Sequence, residues 1–149
     1  MHLVVAVDGS EQSKRALAHA IDLGEPAGAT ITAVYAVDPE VHAEGGIEPV
    51  NDISDAEDRL IIEDVADAEE RGERVLQQMA AFAEEYGARV ETDLVYGTPV
   101  EAISDYAEDV DADGLFVGRR GLSEEAERVI GSTSKALVER AAVPVTVVQ

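Results

Sequence analysis

Gly118-Arg119-Arg120-Gly121 is followed by nine residues and then by Gly131-Ser132-Thr133. An apolar run, Leu115-Phe116-Val117, precedes this stretch, and a helical pattern from Ser134 to Ala142 follows it. A strand that hands over to a helix through glycines is a place where an α/β protein can hold a phosphate. Glycine lets the backbone approach an anion closely and take positive φ. Successive main-chain N–H groups then form a concavity for the anion, and the start of the next helix adds its dipole. On this reading Gly118, Gly121, Gly131, Ser132 and Thr133 hold phosphate through main-chain N–H groups and hydroxyls. Arg119 and Arg120 can screen its charge. The plainer reading makes the glycines turn residues and the arginines exposed loop filler.

A second segment ends in a chemically useful residue. Val4-Val5-Ala6-Val7 runs into Asp8-Gly9-Ser10. A carboxylate at the end of a strand can accept from ligand hydroxyls, or it can serve as a turn or cap residue for the helix that follows. Ala6, Val7, Ala36 and Val37 end two apolar runs. Core packing explains their side chains, and their backbone amides can still face a ligand.

Other motifs lead nowhere. Ser132 to Lys135 matches S-x-x-K and Ser104-Asp105 begins S-D-N, but K-T-G is absent. Neither G-x-x-x-x-G-K-[ST] nor G-x-G-x-x-G occurs. His2, His19 and His42 lack ligand spacing, and no D-x-[DN]-x-[DN]-G loop is present.

The positioning elements follow from periodicity and breakers. His2 to Val7 is expected to be a buried strand ended by Asp8-Gly9. A helix follows from a Ser10 cap to Leu23, with Ala16, Leu17, Ala20 and Ile21 or Leu23 on its inner face, and Gly24 stops it. Ala29 to Val37 is the second strand, and Asp38-Pro39 opens a loop with Gly45-Gly46 and Pro49. A long helix runs from about Ser54 to Tyr86. Its stripe is Ile61, Val65, Ala68, Gly72, Val75, Met79, Phe82 and Tyr86, spaced by fours and threes. Val90, Thr92, Leu94 and Tyr96 alternate with Arg89, Glu91, Asp93 and Val95, as on a half-buried edge strand with the second set on its outer, mostly polar side. Thr98-Pro99-Val100-Glu101 spells a capping box with proline at the first helical position. Gly114 to Val117 and Pro144 to Val148 are the last two strands. Strands alternating with helices imply a parallel sheet with helices on both faces.

The chain has 149 residues, no cysteine and a net charge of -21, and 46% of its residues are hydrophobic. One domain spanning 1–149 with its own core is expected. No apolar run has membrane length and no leader pattern opens the chain, so a cytoplasmic location with no membrane partner is expected. Nucleic acid is not an expected partner, because phosphate contacts need a basic surface. Only Lys14 and Lys135 are lysines. Such acidity self-repels in dilute buffer and is screened at molar salt, as in halophilic proteins. From Asp38 to Glu70 there are thirteen acidic residues and one basic residue, whereas Gly118 to Arg140 holds five basic and four acidic ones. The acid lies away from the segment that would accept an anion.

The spacing G-x2-G-x9-G-[ST], the opening Val4 to Ser10 and the ending Ala142-Val143-Pro144-Val145-Thr146-Val147-Val148 together resemble the universal stress protein family across the whole chain, in its ATP-binding subgroup and with a halophilic archaeal composition. The resemblance implies a five-stranded parallel sheet in the order 3-2-1-4-5, a Rossmann-like fold. It implies an adenine nucleotide (ATP, AMP or ADP, with or without Mg) between strands 1 and 4. Asp8 matches the acidic residue beside the nucleoside, and Ala6, Val7 and Ala36 match positions that flank the adenine. It further implies a homodimer through the C-terminal strand and at most slow ATP hydrolysis. The alternative is a nucleotide-free dimeric interaction protein of the same family. The spacer departs from the family in carrying Glu124, Glu125 and Glu127, and Thr133 stands where an apolar residue is common.

Overall fold

The computed structural model describes residues 1–38, 54–119 and 131–149; Gly45, Gly46, Pro49, Arg120 and Gly121, and the side chains of residues 54–64, lie outside the described residues. Five parallel strands alternate with helices. They are β1 (His2–Ala6), α1 (Glu11–Gly24), β2 (Thr30–Val37), α2 (Ser54–Glu85), β3 (Glu91–Tyr96), α3 (Pro99–Asp109), β4 (Gly114–Gly118), α4 (Ser132–Arg140) and β5 (Val145–Val148). The sheet order is β3-β2-β1-β4-β5, as the resemblance implies. The strand β1 is central. It pairs with β2 through Val4↔Thr32 and Ala6↔Val34, and with β4 through Val4↔Leu115 and Ala6↔Val117.

The two-residue period of the strands separates two cores. Leu3, Val5, Val7, Ile31 and Ala33 pack with Leu17 and Ile21 of α1 and Met79 of α2. Val4, Ala6, Val34, Leu115 and Val117 pack with Ile103 of α3 and Leu137 of α4. Burying each of these large side chains contributes about 1.5–3 kcal/mol. The long helix can lie close to the sheet because Gly72 has no side chain. A Cβ there would stand 2.6 Å from Tyr35 Cδ1 and 2.8 Å from Leu94 Cδ1. A glycine inside a helix costs about 1 kcal/mol relative to alanine, and this close contact explains its presence.

Several local expectations change. Ser10 does cap α1, its Oγ accepting from Ser13 N at 3.1 Å. Thr98 caps α3 with its backbone alone and makes no side-chain cap hydrogen bond, so the capping box is not formed. Ile21 is the buried member of its pair and Leu23 is exposed. Tyr86 leaves the α2 stripe, and its hydroxyl donates to the Asp22 carboxylate at 3.1 Å. Tyr96 is exposed on β3, while Val95, expected on the polar side, packs against the α3 core. The fourth helix starts at Ser132, two residues earlier than its apolar pattern suggests. Pro144 precedes β5, and its carbonyl accepts from Leu115 N at 2.8 Å.

Among the described residues no helix is long and apolar enough to cross a membrane.

Candidate nucleotide-binding site

Order 3-2-1-4-5 makes the β1–β4 boundary the switch point of the sheet, and in open α/β sheets ligands bind beyond the carboxyl ends of strands at such a point. A crevice of about 420 Å³ lies there, within the range of small-molecule sites. Its walls come from six parts of the chain, Ser13 of α1 and Tyr35 of β2 among them. Ala6, Val7 and Asp8 end β1; Ala36 and Asp38 end β2; Val117 and Gly118 end β4; Thr133 and Ser134 open α4. Pro99 and Ile103 of α3 close the apolar side.

The turn after β1 is built by its own side chains. Asp8 Oδ1 accepts from Ser10 N at 2.9 Å, and Gly9 takes φ +87° between them. The turn or cap role read for Asp8 is therefore real, and the same exposed carboxylate lines the crevice.

The α4 side of the crevice is built around a helix start. Gly131 caps α4 with φ -59°, a value open to any residue, and offers no side-chain cap. The first N–H groups of a helix have no intrahelical acceptor. Those of Ser132, Thr133 and Ser134 therefore start α4 with the positive end of its dipole beside the crevice. Gly118 is held for another reason. A Cβ there would lie 2.5 Å from the Gln12 carbonyl oxygen, so the missing side chain admits α1 against β4. Ser134 Oγ donates to the Gly118 carbonyl at 3.0 Å, and Ser13 Oγ donates to the Ser10 carbonyl at 2.9 Å. Both hydroxyl protons are used inside the protein. Thr133 brings a further hydroxyl to the crevice wall, in the first turn of α4.

Of the residues read from sequence, Ala6, Val7, Asp8, Ala36, Gly118 and Thr133 line one crevice. Gly131 sits at the α4 cap and Ser132 is exposed on its first turn, both just outside the lining set. Arg119 is half-buried, and its N–H donates to the Val148 carbonyl at 2.8 Å, which fixes its backbone to β5 rather than to a ligand. Gly121 lies outside the described residues. Sequence reading misses Asp38, which is only 6% exposed and lines the crevice. Its place in Asp-Pro makes it look like a turn residue, although an Asp two positions beyond Ala36 is the available signal. Among the described residues no three His, Cys, Asp or Glu side chains gather as a metal site.

The family model described as Universal stress protein family matches residues 1–149. Stress response protein NhaX of Bacillus subtilis is 32% identical over 166 residues, covering 99% of this chain and 96% of its own. The structure of universal stress protein UspA from Lactobacillus plantarum aligns with a TM-score of 0.78 at 24% identity, covering 100% of this chain and 97% of that one. A universal stress protein solved in complex with cAMP aligns with a TM-score of 0.69 at 26% identity, covering 100% and 97%.

Proposed function

The chain belongs to the universal stress protein family, and we propose that its crevice binds an adenine nucleotide. One observation carries this reading. The end of β1 with Asp8 and the start of α4 with Thr133, 125 positions apart in numbering, line the same roughly nucleotide-sized crevice. The structural relative that holds cAMP supports it. The main-chain N–H groups of Ser132 to Ser134 receive a phosphate, the Thr133 hydroxyl adds a donor, and the Asp8 carboxylate accepts from ribose hydroxyls. Ala6 and Ala36 provide apolar floor for the base. ATP, ADP and AMP all fit this scheme, and Mg, where present, is carried by the phosphates. The chain acts as one domain of a cytoplasmic homodimer joined through β5, with little or no catalysis of its own, and its acidity suits a high-salt interior.

Protein purified in molar KCl should release a nucleotide detectable by mass spectrometry. Calorimetry on the stripped protein should show AMP, cAMP or ATP binding. Absence of both signals at millimolar ligand would remove nucleotide binding from this chain and favour the nucleotide-free interaction protein.

A further inference from the structure

Among the described residues Tyr35 is the one aromatic side chain of the crevice wall. It precedes Ala36 on β2, so the two side chains leave opposite faces of the sheet. Tyr35 packs with Val7 of β1 and Val75 of α2. Behind its ring lies Gly72 of α2. A Cβ on Gly72 would stand 2.6 Å from Tyr35 Cδ1 and 2.9 Å from its Cε1. The helix α2 joins two parallel strands and therefore runs against their direction. Its Val75 already meets the turn after β1, where a Cβ on Gly9 would stand 3.1 Å from Val75 Cγ2. Gly72 is three residues nearer the start of α2. The ring edge that meets it thus stands at the carboxyl ends of the strands, level with the crevice.

The ring has one open side. Leu94 pairs with Tyr35 across the β2–β3 ladder, and its Cδ1 would stand 2.8 Å from the same Cβ on Gly72. Leu94 therefore fills the β3 side. Val7, anchored by its N–H to the Val34 carbonyl at 3.0 Å, fills the β1 side. The sheet lies beneath the ring and α2 above it. What remains is the crevice. Interiors are close-packed, so a group added behind the ring moves it into the space that is free. A methyl group at position 72 would push the Tyr35 ring into the crevice.

Resting on the nucleotide reading above, we infer that Gly72 is a positioning residue of the crevice, holding the Tyr35 ring back against α2 so that the ligand has room. Gly72 is not itself a wall residue and acts only through Tyr35. The width of the crevice on this face of the sheet is thereby set from the far side of an aromatic ring. The contact works in both directions. A ligand that presses on Tyr35 also presses on α2 at Gly72, because coupling between two sites is reciprocal.

The experiment measures AMP and ATP binding by calorimetry in molar KCl on wild type, Gly72→Ala, Tyr35→Val and the double variant. Gly72→Ala should bind about ten-fold or more weakly than wild type, the effect of one methyl group too many in a packed site. Valine ends before the Cδ1 and Cε1 atoms that meet position 72. The double variant should therefore bind within about three-fold of Tyr35→Val, a coupling that a merely structural glycine would not show. Should Gly72→Ala not fold, or Tyr35→Val not bind, the glycine amide resonances of wild type decide the matter. Whichever of AMP and ATP binds more tightly should shift Gly72 and leave Gly28 and Gly87, at the other end of the sheet, in place. Three results would each overturn the role of Gly72 while leaving nucleotide binding intact: an unchanged affinity of Gly72→Ala, a loss that Tyr35→Val does not relieve, or a Gly72 resonance that stays put with ligand bound. Binding of neither nucleotide by wild type would overturn the nucleotide reading itself.

Discussion

A Cβ placed on Gly118 would stand 2.5 Å from the carbonyl oxygen of Gln12 and 2.6 Å from its carbonyl carbon. The glycine at the end of β4 is thus a packing residue between β4 and α1. Backbone atoms cannot swing aside as a side chain can. Gly118→Ala should therefore destabilise the fold by about 1–3 kcal/mol, the usual range for overpacking, and Gly118→Val by more. Gly131→Ala, at a φ of -59°, should melt close to wild type. Thermal or denaturant unfolding checks both. A Gly118→Val protein as stable as wild type would show that α1 shifts freely.

Much of the architecture is legible in the sequence because two periods are physically enforced. Strands buried on both faces, such as Val4 to Val7, appear as short apolar runs, and α1 and α2 appear as stripes. The order of the sheet is contained in neither period and comes from the resemblance. The misses have local causes. Tyr86 and Tyr96 fit apolar patterns, yet each carries a hydroxyl that finds a carboxylate at the surface, Asp22 and Glu69 respectively. Gly118 reads as a loop glycine because close approach of α1 is a tertiary fact. Asp38 is hidden inside an Asp-Pro turn signal. The α4 start reads late because Ser132 and Thr133 carry no large apolar side chain, although a helix needs none in its first turn.

Tyr106 should make stability depend on pH in alkali. Burial of its hydroxyl, then its hydrogen bond to Asp93 and the charges of Asp93 and Glu91, push its pKa up from 10.0 to about 12, while a hydrogen bond from Thr32 pulls it down. The folded state then holds this proton more tightly than the unfolded chain does. The contribution is complete below pH 10 and is lost as the pH rises toward 12. The difference in melting temperature between wild type and Tyr106→Phe should be constant up to about pH 9 and should shift against wild type between about pH 10 and 12. A parallel pair of curves through that window would place Tyr106 in a solvent-like setting.

Ser104 sits on the buried face of α3, 5% exposed, and among the described residues its Oγ has no hydrogen-bond partner. A buried hydroxyl without a partner costs desolvation, and alanine is the better helix former. Ser104→Ala should leave stability unchanged or raise it by about 1 kcal/mol. A loss of more than that in denaturant unfolding would reveal a hydrogen bond from Ser104 in solution.

Salt should stabilise this chain. At a net charge of -21 the folded state repels itself, and the Debye length shrinks from about 10 Å at 0.1 M to about 3 Å at 1 M. Melting temperature should climb steeply from dilute buffer to molar KCl and then flatten. A level profile would mean that the carboxylates are spaced or paired well enough to be tolerated without salt.

The edge strand β5 is the element on which the proposed homodimer rests. Pro144 to Gln149 carries no charged side chain, and an uncharged edge is a template for another chain. The carbonyls of Pro144 and Val148 accept from Leu115 and Arg119, so these residues aim their backbone at β4. Along a strand the direction alternates, which turns the backbone N–H and C=O of Val145 and Val147 toward the open edge. Their side chains are already engaged, because Val145 and Val147 both pack against the α3–α4 core. Lysine at either position would damage that core as well as any interface, so it cannot report on assembly. Val147→Pro is the cleaner change: it removes one outward N–H and leaves the β4 ladder whole. Pairing of two β5 strands about a two-fold axis predicts a wild-type dimer in molar KCl and a folded Val147→Pro monomer. Light scattering together with a melting curve checks both. A monomeric wild type, or a Val147→Pro protein that still dimerises, would move the interface away from β5.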